Sequence, residues 1–356
     1  MAAALGAGRS RCEAPARTGS AQGELPAPSA EDGERGVRGE RRARPPLPAH
    51  HRRAREPLLN GRSSLLAGIV SVVVLFAASA LGASGTFPGR NGGIAYNSLR
   101  KGNVDVYLRK ANGKTVRLTR WKGSDLYPSF SADGKRIAFT RRRSGNDDIY
   151  VMSTSGKALR RVTRSAQDDS DPTWSADGLH LAFTTFGKND EIESVGVDGR
   201  GAVDLTNNPA SDLDPAWSPD GTKIAFASAR DDPKGDTYDI YVMNADGSNQ
   251  VRLTQTPADD GEPTWSPDGT RIAFVTAPGN RPDIAVMNAD GSNQAPLTHT
   301  GHAFEPSWSP DGTKIAFTSL VKRRGEIYTI NVDGTALLRL TRNGFDDGAP
   351  DWQSLR

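Results

Sequence analysis

The sequence predicts an all-β fold: a six-bladed β-propeller closed by pairing of its N- and C-terminal strands, preceded by a disordered tail and one apolar helix. Three observations carry this. A first motif recurs with spacings of 44, 43, 48 and 43 residues, a second motif occurs six times, and a further copy of the first is divided between the two ends of the chain. Self-similarity at a period of 40–50 residues is the mark of propeller and solenoid architectures.

Taken in chain order, residues 1–62 form a basic tail. They hold 12 Arg, no Lys and 7 acidic residues, and are rich in Ala, Pro and Gly. Such a segment buries too little apolar surface to offset the entropy of ordering it, so disorder is expected. A translation start near Arg52 would leave most of it out. The formal charge of +3 belongs to this tail, because the remainder holds 33 basic and 35 acidic residues. The basic balance is therefore no argument for nucleic-acid binding by the folded part. The single cysteine, Cys12, lies in the tail and excludes both a disulfide framework and a thiolate metal site.

Residues 63–84 are apolar, and no charged residue occurs from Ser63 to Gly89. About 20 apolar residues cross a bilayer as a helix. Arg52, Arg53, Arg55 and Arg62 precede the segment, which orients the C-terminal bulk of the chain outward. The small residues Ala78, Ser79, Ala80, Gly82 and Ala83 suit a cleaved signal peptide, whereas the length suits an uncleaved anchor; both readings stay open. Either puts the propeller outside the membrane, with membrane contact confined to 63–84.

The region 91–356 is the propeller. Its first motif reads PSFSADGKRIAF from Pro128, PTWSADGLHLAF from Pro172, PAWSPDGTKIAF from Pro215, PTWSPDGTRIAF from Pro263 and PSWSPDGTKIAF from Pro306. The second begins at Asp105, Asp148, Glu191, Asp239, Asp283 and Glu326, and closes on Thr119, Thr163, Thr206, Thr254, Thr298 and Thr341. The missing first motif is split: Asn91–Tyr96 supplies the IAF half, and Pro350–Gln353 the PxWS half. Each unit gives four short strands, A to D, with Asp-Gly turns joining A to B and C to D. Closing the ring this way leaves no open edge, fixes the blade number at six, and is compatible with a monomer.

These PxWSPDGxxIAF and DIYVMNADGS motifs resemble the TolB-type propeller repeat, a relative of the WD-repeat propellers, over roughly Gly92 to Trp352. The resemblance implies a periplasmic or otherwise extracytoplasmic envelope protein that binds proteins. It does not extend to the small α/β domain of TolB itself, since about eight residues separate the apolar segment from the first strand. The repeat also resembles the propeller of prolyl-oligopeptidase-type peptidases, but no G-x-S-x-G nucleophile motif is present.

Strand direction alternates, so the D-to-A and B-to-C connections are expected on one face and the tight Asp-Gly turns on the other. Two positions of the D-to-A loops are acidic. The position three before Pro holds Asp125, Asp169, Asp212, Asp260 and Asp347, and the position just before Pro holds Asp171, Asp214, Glu262 and Glu305. Nine carboxylates are thus expected around the mouth of the channel. Arg141, Arg142, Arg143, Arg230, Lys234, Lys322, Arg323 and Arg324 form a basic rim outside them. Clustered carboxylates favour a basic partner segment, an envelope protein or peptide, or a Ca2+ ion at the mouth. His299 and His302, near Glu305, offer a weaker metal motif. No catalytic triad is legible, so a binding module is the first reading. A hydrolase or lyase acting on peptide or carbohydrate at the same mouth is the alternative.

Overall fold

A computed structural model describes residues 86–356 apart from 233, 234 and 236. The tail, the apolar segment 63–84 and Lys234 lie outside the described residues. Among the described residues no helix is long and apolar enough to cross a membrane.

The described chain forms six four-stranded antiparallel sheets. Blades 2 to 6 are contiguous, and their innermost strands are Asp125–Phe130, Asp168–Trp174, Asp212–Trp217, Asp260–Trp265 and Ala303–Trp308. Blade 1 takes its inner strand, Asp346–Leu355, from the C-terminus and pairs it with Arg90–Arg100. Each inner strand packs against the inner strands of the two neighbouring blades, so the six surround one axis.

The core lies between blades. Trp174 is fully buried with Ala138, Ile149 and Val151 of blade 2 and Leu181 and Phe183 of its own blade. Its indole N–H donates to the Ser129 carbonyl at 3.0 Å, and Arg136 stacks 4.5 Å from the ring. Trp265 joins blades 4 and 5 in the same way, and Trp308 joins 5 and 6. A blade is only one sheet thick, so its apolar faces are buried only by its neighbours. The turns hold the sheets in register: at Gly134, φ is 63° and a Cβ would lie 2.1 Å from the Ser354 carbonyl oxygen, a fit only glycine allows.

The second motif proves to be a latch. In every blade the closing threonine hydroxyl accepts the N–H of the residue after the acid, for example Ile149 to Thr163 at 2.9 Å. Arg117, Arg161, Arg252 and Arg339 of strand D pair with the acid in blades 1, 2, 4 and 6. In blades 3 and 5, where Asp204 and Pro296 take the arginine's place, backbone N–H groups of Asn208, Thr300 and Gly301 bond the acid. Thr163→Val keeps the shape and removes the acceptor, leaving a buried N–H unsatisfied. We expect a loss of about 2 kcal/mol in urea unfolding.

The chain enters at the tight-turn face. The Thr86 hydroxyl donates to the Trp308 carbonyl, Gly89 N–H to that of Pro310, and Phe87 is buried beside Ala132, Trp174 and Ala176.

Candidate functional site

Each inner strand contains a Pro, which lacks a ladder donor and is tolerated at a sheet edge or a bulge. Here it produces a bulge: the A–B register breaks between Leu126 and Ser129, and at the same place in the other five blades. The residue before Pro takes a left-handed conformation in all six: Tyr127 52°, Asp171 59°, Asp214 56°, Glu262 53°, Glu305 54° and Ala349 50°. Non-glycine residues in that region cost on the order of 1 kcal/mol each and persist only where the surroundings over-determine them.

Those surroundings are hydrogen bonds from the preceding blade. The N–H of Tyr127 donates to the Asn97 side chain at 3.2 Å, that of Asp171 to Thr140 at 3.2 Å, and that of Asp214 to Thr184 at 3.2 Å. Asn97, Thr140 and Thr184 all follow the aromatic of the IAF strand. Blade 5 has Val275 at that position, and the Glu262 carboxylate reaches the Glu305 N–H instead. Glu305 in turn accepts the Ala349 N–H at 2.6 Å and the Thr318 hydroxyl at 2.5 Å. This polar residue after the IAF aromatic is a sequence signal that the two motifs do not include.

The bulge aims the pre-proline side chains at the axis and at one another. Burial, and then the charge of Asp214, with further push from Glu262 and Glu305, raise the Asp171 carboxyl well above its usual range. Asp171 is buried, and neither carboxylate oxygen accepts a well-formed hydrogen bond. Burial, Glu305 and Asp214 do the same to Glu262, and burial sets Glu305, which is half-buried, at about 7. Tyr127 of blade 2 is raised by burial and by Asp171, Glu305 and Asp214 of blades 3, 6 and 4, which is possible only across the axis. Asp171, Asp214, Glu262 and Glu305 thus form one acidic ring on the inner strands, and the first three are buried.

The other five carboxylates stand apart from this ring, each engaged inside its own blade. Asp125 makes two charge-assisted bonds to buried Arg141, at 2.7 and 2.9 Å. Asp212 pairs with Arg230 at 3.0 Å and also binds Asn208. Asp169 accepts from Ser165 and Thr185, Asp260 from Thr256, and Asp347 from Ser98 and Asn343. Four of these contacts come from the residue four positions earlier, so the carboxylate closes the D-to-A turn. Burial raises Asp169 and Asp260 to about 6.

The basic rim is uneven. Arg141 and Arg230 fold inward onto Asp125 and Asp212, over Tyr150 and Tyr241 respectively. Arg142, Arg143, Lys322, Arg323 and Arg324 are exposed. Among the described residues no group of three or more His, Cys, Asp or Glu side chains is placed to hold a metal ion. The expected Ca2+ site therefore has no ligand set here, and His299 and His302 sit exposed in their loop. The four carboxylates stand on four separate inner strands and repel one another.

Six four-stranded blades around a carboxylate-lined axis define the class, a repeat β-propeller. Residues 71–188 and 205–353 match the family model described as the TolB beta propeller domain, and the chain belongs to that family. It is similar to the structure of TolB from Acinetobacter baumannii, at 24% identity and a TM-score of 0.66, over 74% of this chain and 67% of that one. It is also similar to putative TolB from Agrobacterium tumefaciens, at 23% and 0.56, over 70% and 88%. An oligogalacturonate lyase in complex with manganese shares the fold at 14% identity and a TM-score of 0.53, over 73% and 77%. No curated protein matches the chain.

Proposed function

We propose that this protein is an extracytoplasmic binding propeller of the cell envelope, and that a protein or peptide partner presents a cationic side chain to the acidic ring. One observation carries the reading: the buried Asp171 carboxylate, without a good donor of its own, faces the carboxylates of Asp214, Glu262 and Glu305. Buried like charges are held at a cost that an incoming Lys or Arg removes. The apolar segment 63–84 and membership of the TolB propeller family support a location outside the membrane.

The test is partner capture from an envelope extract by the wild-type protein and by Asp171→Asn/Asp214→Asn/Glu262→Gln. We expect the specific partner to be lost from the variant, with the melting temperature unchanged or raised. Undiminished capture by the variant sinks the reading. Asp169 and Asp212 are unsuitable for this test, because they hold turns together.

A second reading rests on Glu305 alone. A carboxyl that titrates at about 7 is suited to general acid chemistry at neutral pH, as a hydrolase or lyase on peptide or carbohydrate requires. Turnover of such a substrate that disappears in Glu305→Gln would establish it.

A further inference from the structure

Among the described residues, most of the exposed positive charge of the loop face lies on one side. Blades 6, 1 and 2 present Lys322, Arg323 and Arg324; Lys101, Arg120 and Lys122; and Arg142 and Arg143, all exposed. Arg120, Lys122, Arg143 and Arg323 form no ion pair among the described residues, and the pair between Arg142 and Asp147 is long, at 3.7 Å. The corresponding hairpins of blades 3 to 5 carry Asp190, Asp231 and Asp232 beside exposed Lys188 and Arg281, and Arg230 is turned inward.

The basic hairpins are joined into one surface. Arg324 donates to the Gly344 carbonyl at 2.7 Å, and the adjacent Phe345 stacks on Arg100 of blade 1 at 4.7 Å. Asn103 of blade 1 bonds the Trp121 carbonyl, and the Trp121 indole N–H donates to the Arg142 carbonyl of blade 2. Trp121 is therefore fixed in place between two hairpins, yet 41% exposed, with Arg120 and Lys122 on either side. At the other end of the arc, Lys322 and Arg324 line an open pocket of about 430 Å³ with Arg339 and Glu326.

We infer that this arc binds a linear polyanionic glycan, whose repeated carboxylate or phosphate groups meet the cationic hairpins and one of whose sugar rings lies on Trp121. A row of charge across three blades suits a chain of anions rather than a single one. A protein partner would need a larger apolar centre, whereas Trp121 and Leu320 are the exposed large apolar side chains of these hairpins and loops.

The experiment titrates the full-length protein with alginate, a polyuronate, with phosphomannan, a sugar polymer carrying phosphodiesters, and with phosphatidylglycerol vesicles, following tryptophan fluorescence. We expect at least one polymer to bind and to weaken steeply between roughly 50 and 200 mM salt. Whichever polymer binds identifies the anion. Arg142→Glu/Arg143→Glu and Arg323→Glu/Arg324→Glu should each weaken binding about tenfold or more, and Lys188→Glu/Arg281→Glu about threefold at most. Trp121→Ala should remove most of the fluorescence change, since Trp174, Trp217, Trp265 and Trp308 are buried and half-buried Trp352 pairs with Ile94, away from the Arg100 end of that strand. The inference is overturned if neither polymer binds at the lowest salt, if vesicles bind and the polymers do not, or if reversal on blades 3 to 5 costs as much as reversal on the arc. The acidic-ring variants should bind the polymer normally, which keeps this result separate from the capture experiment.

Discussion

Asp171→Asn/Glu305→Gln is expected to melt roughly 5 °C or more above the wild type at pH 8 and within a degree or two of it at pH 5. The sign comes from linkage. Glu305 is raised from 4.5 to about 7, so between those values the folded protein holds more protons than the unfolded chain. Stability then falls as pH rises through the window and stays low above it. Asp169 and Asp260, raised from 3.8 to about 6, add the same slope at lower pH. The tight-turn aspartates act oppositely. Slight burial pushes Asp133, Asp220 and Asp268 up, but a serine hydroxyl and a backbone N–H more than offset it and leave them below their usual value. Their contribution is lost as pH falls through those lowered values. Maximum stability should therefore lie between roughly pH 4 and 5. A thermal melt from pH 4 to 9 checks this. A flat profile between pH 5 and 8, or variants less stable than wild type at pH 8, would remove the basis for a strained acidic ring. The neutral side chains keep the shapes and most acceptors, so a gain in stability with loss of capture would mark the ring as a functional cost.

Breaking the buried pair in blade 2 should have the largest destabilising effect. Arg141→Leu strands the Asp125 carboxylate, which is fully buried and already raised by burial despite the guanidinium beside it. Removing one partner of such a pair costs about 3–5 kcal/mol. The double variant Asp125→Leu/Arg141→Leu leaves no orphaned charge and should recover most of that loss in urea unfolding. Arg230→Leu should cost less, because Arg230 is 22% exposed and Asp212 keeps Asn208. A single variant losing under about 1 kcal/mol would show that water reaches Asp125.

The fold was legible because repetition averages out local ambiguity. One PxWSPDGxxIAF segment could be any hairpin; five in series, with a sixth shared between the ends, leave one arrangement of blades. The nine carboxylates were expected in the D-to-A loops, but all nine lie in the first residues of the inner strands, where the bulge at Pro continues the sheet pairing past them. Their sorting was not legible. Asp169 and Asp171 are two apart in one inner strand, yet Asp169 closes a turn through Ser165 and Thr185, and Asp171 faces the axis. The same holds for Arg141 and Arg142, neighbours of which one is buried on Asp125 and the other exposed.

The sequence by itself determined the blade count, the strand order within each blade and the chemistry gathered on the loop face. These come from the period, the hydrophobic alternation and the turn residues, all of which are local. Only the tertiary structure decided which carboxylates share an environment. That depends on the left-handed residue before each Pro, whose N–H in blades 1, 2, 3, 4 and 6 donates to an acceptor of the neighbouring blade, and on the distance between strands that meet across the axis. Charges brought together by closure of the ring belong to residues up to 134 positions apart, from Asp171 to Glu305. Their repulsion therefore exists only in the folded state.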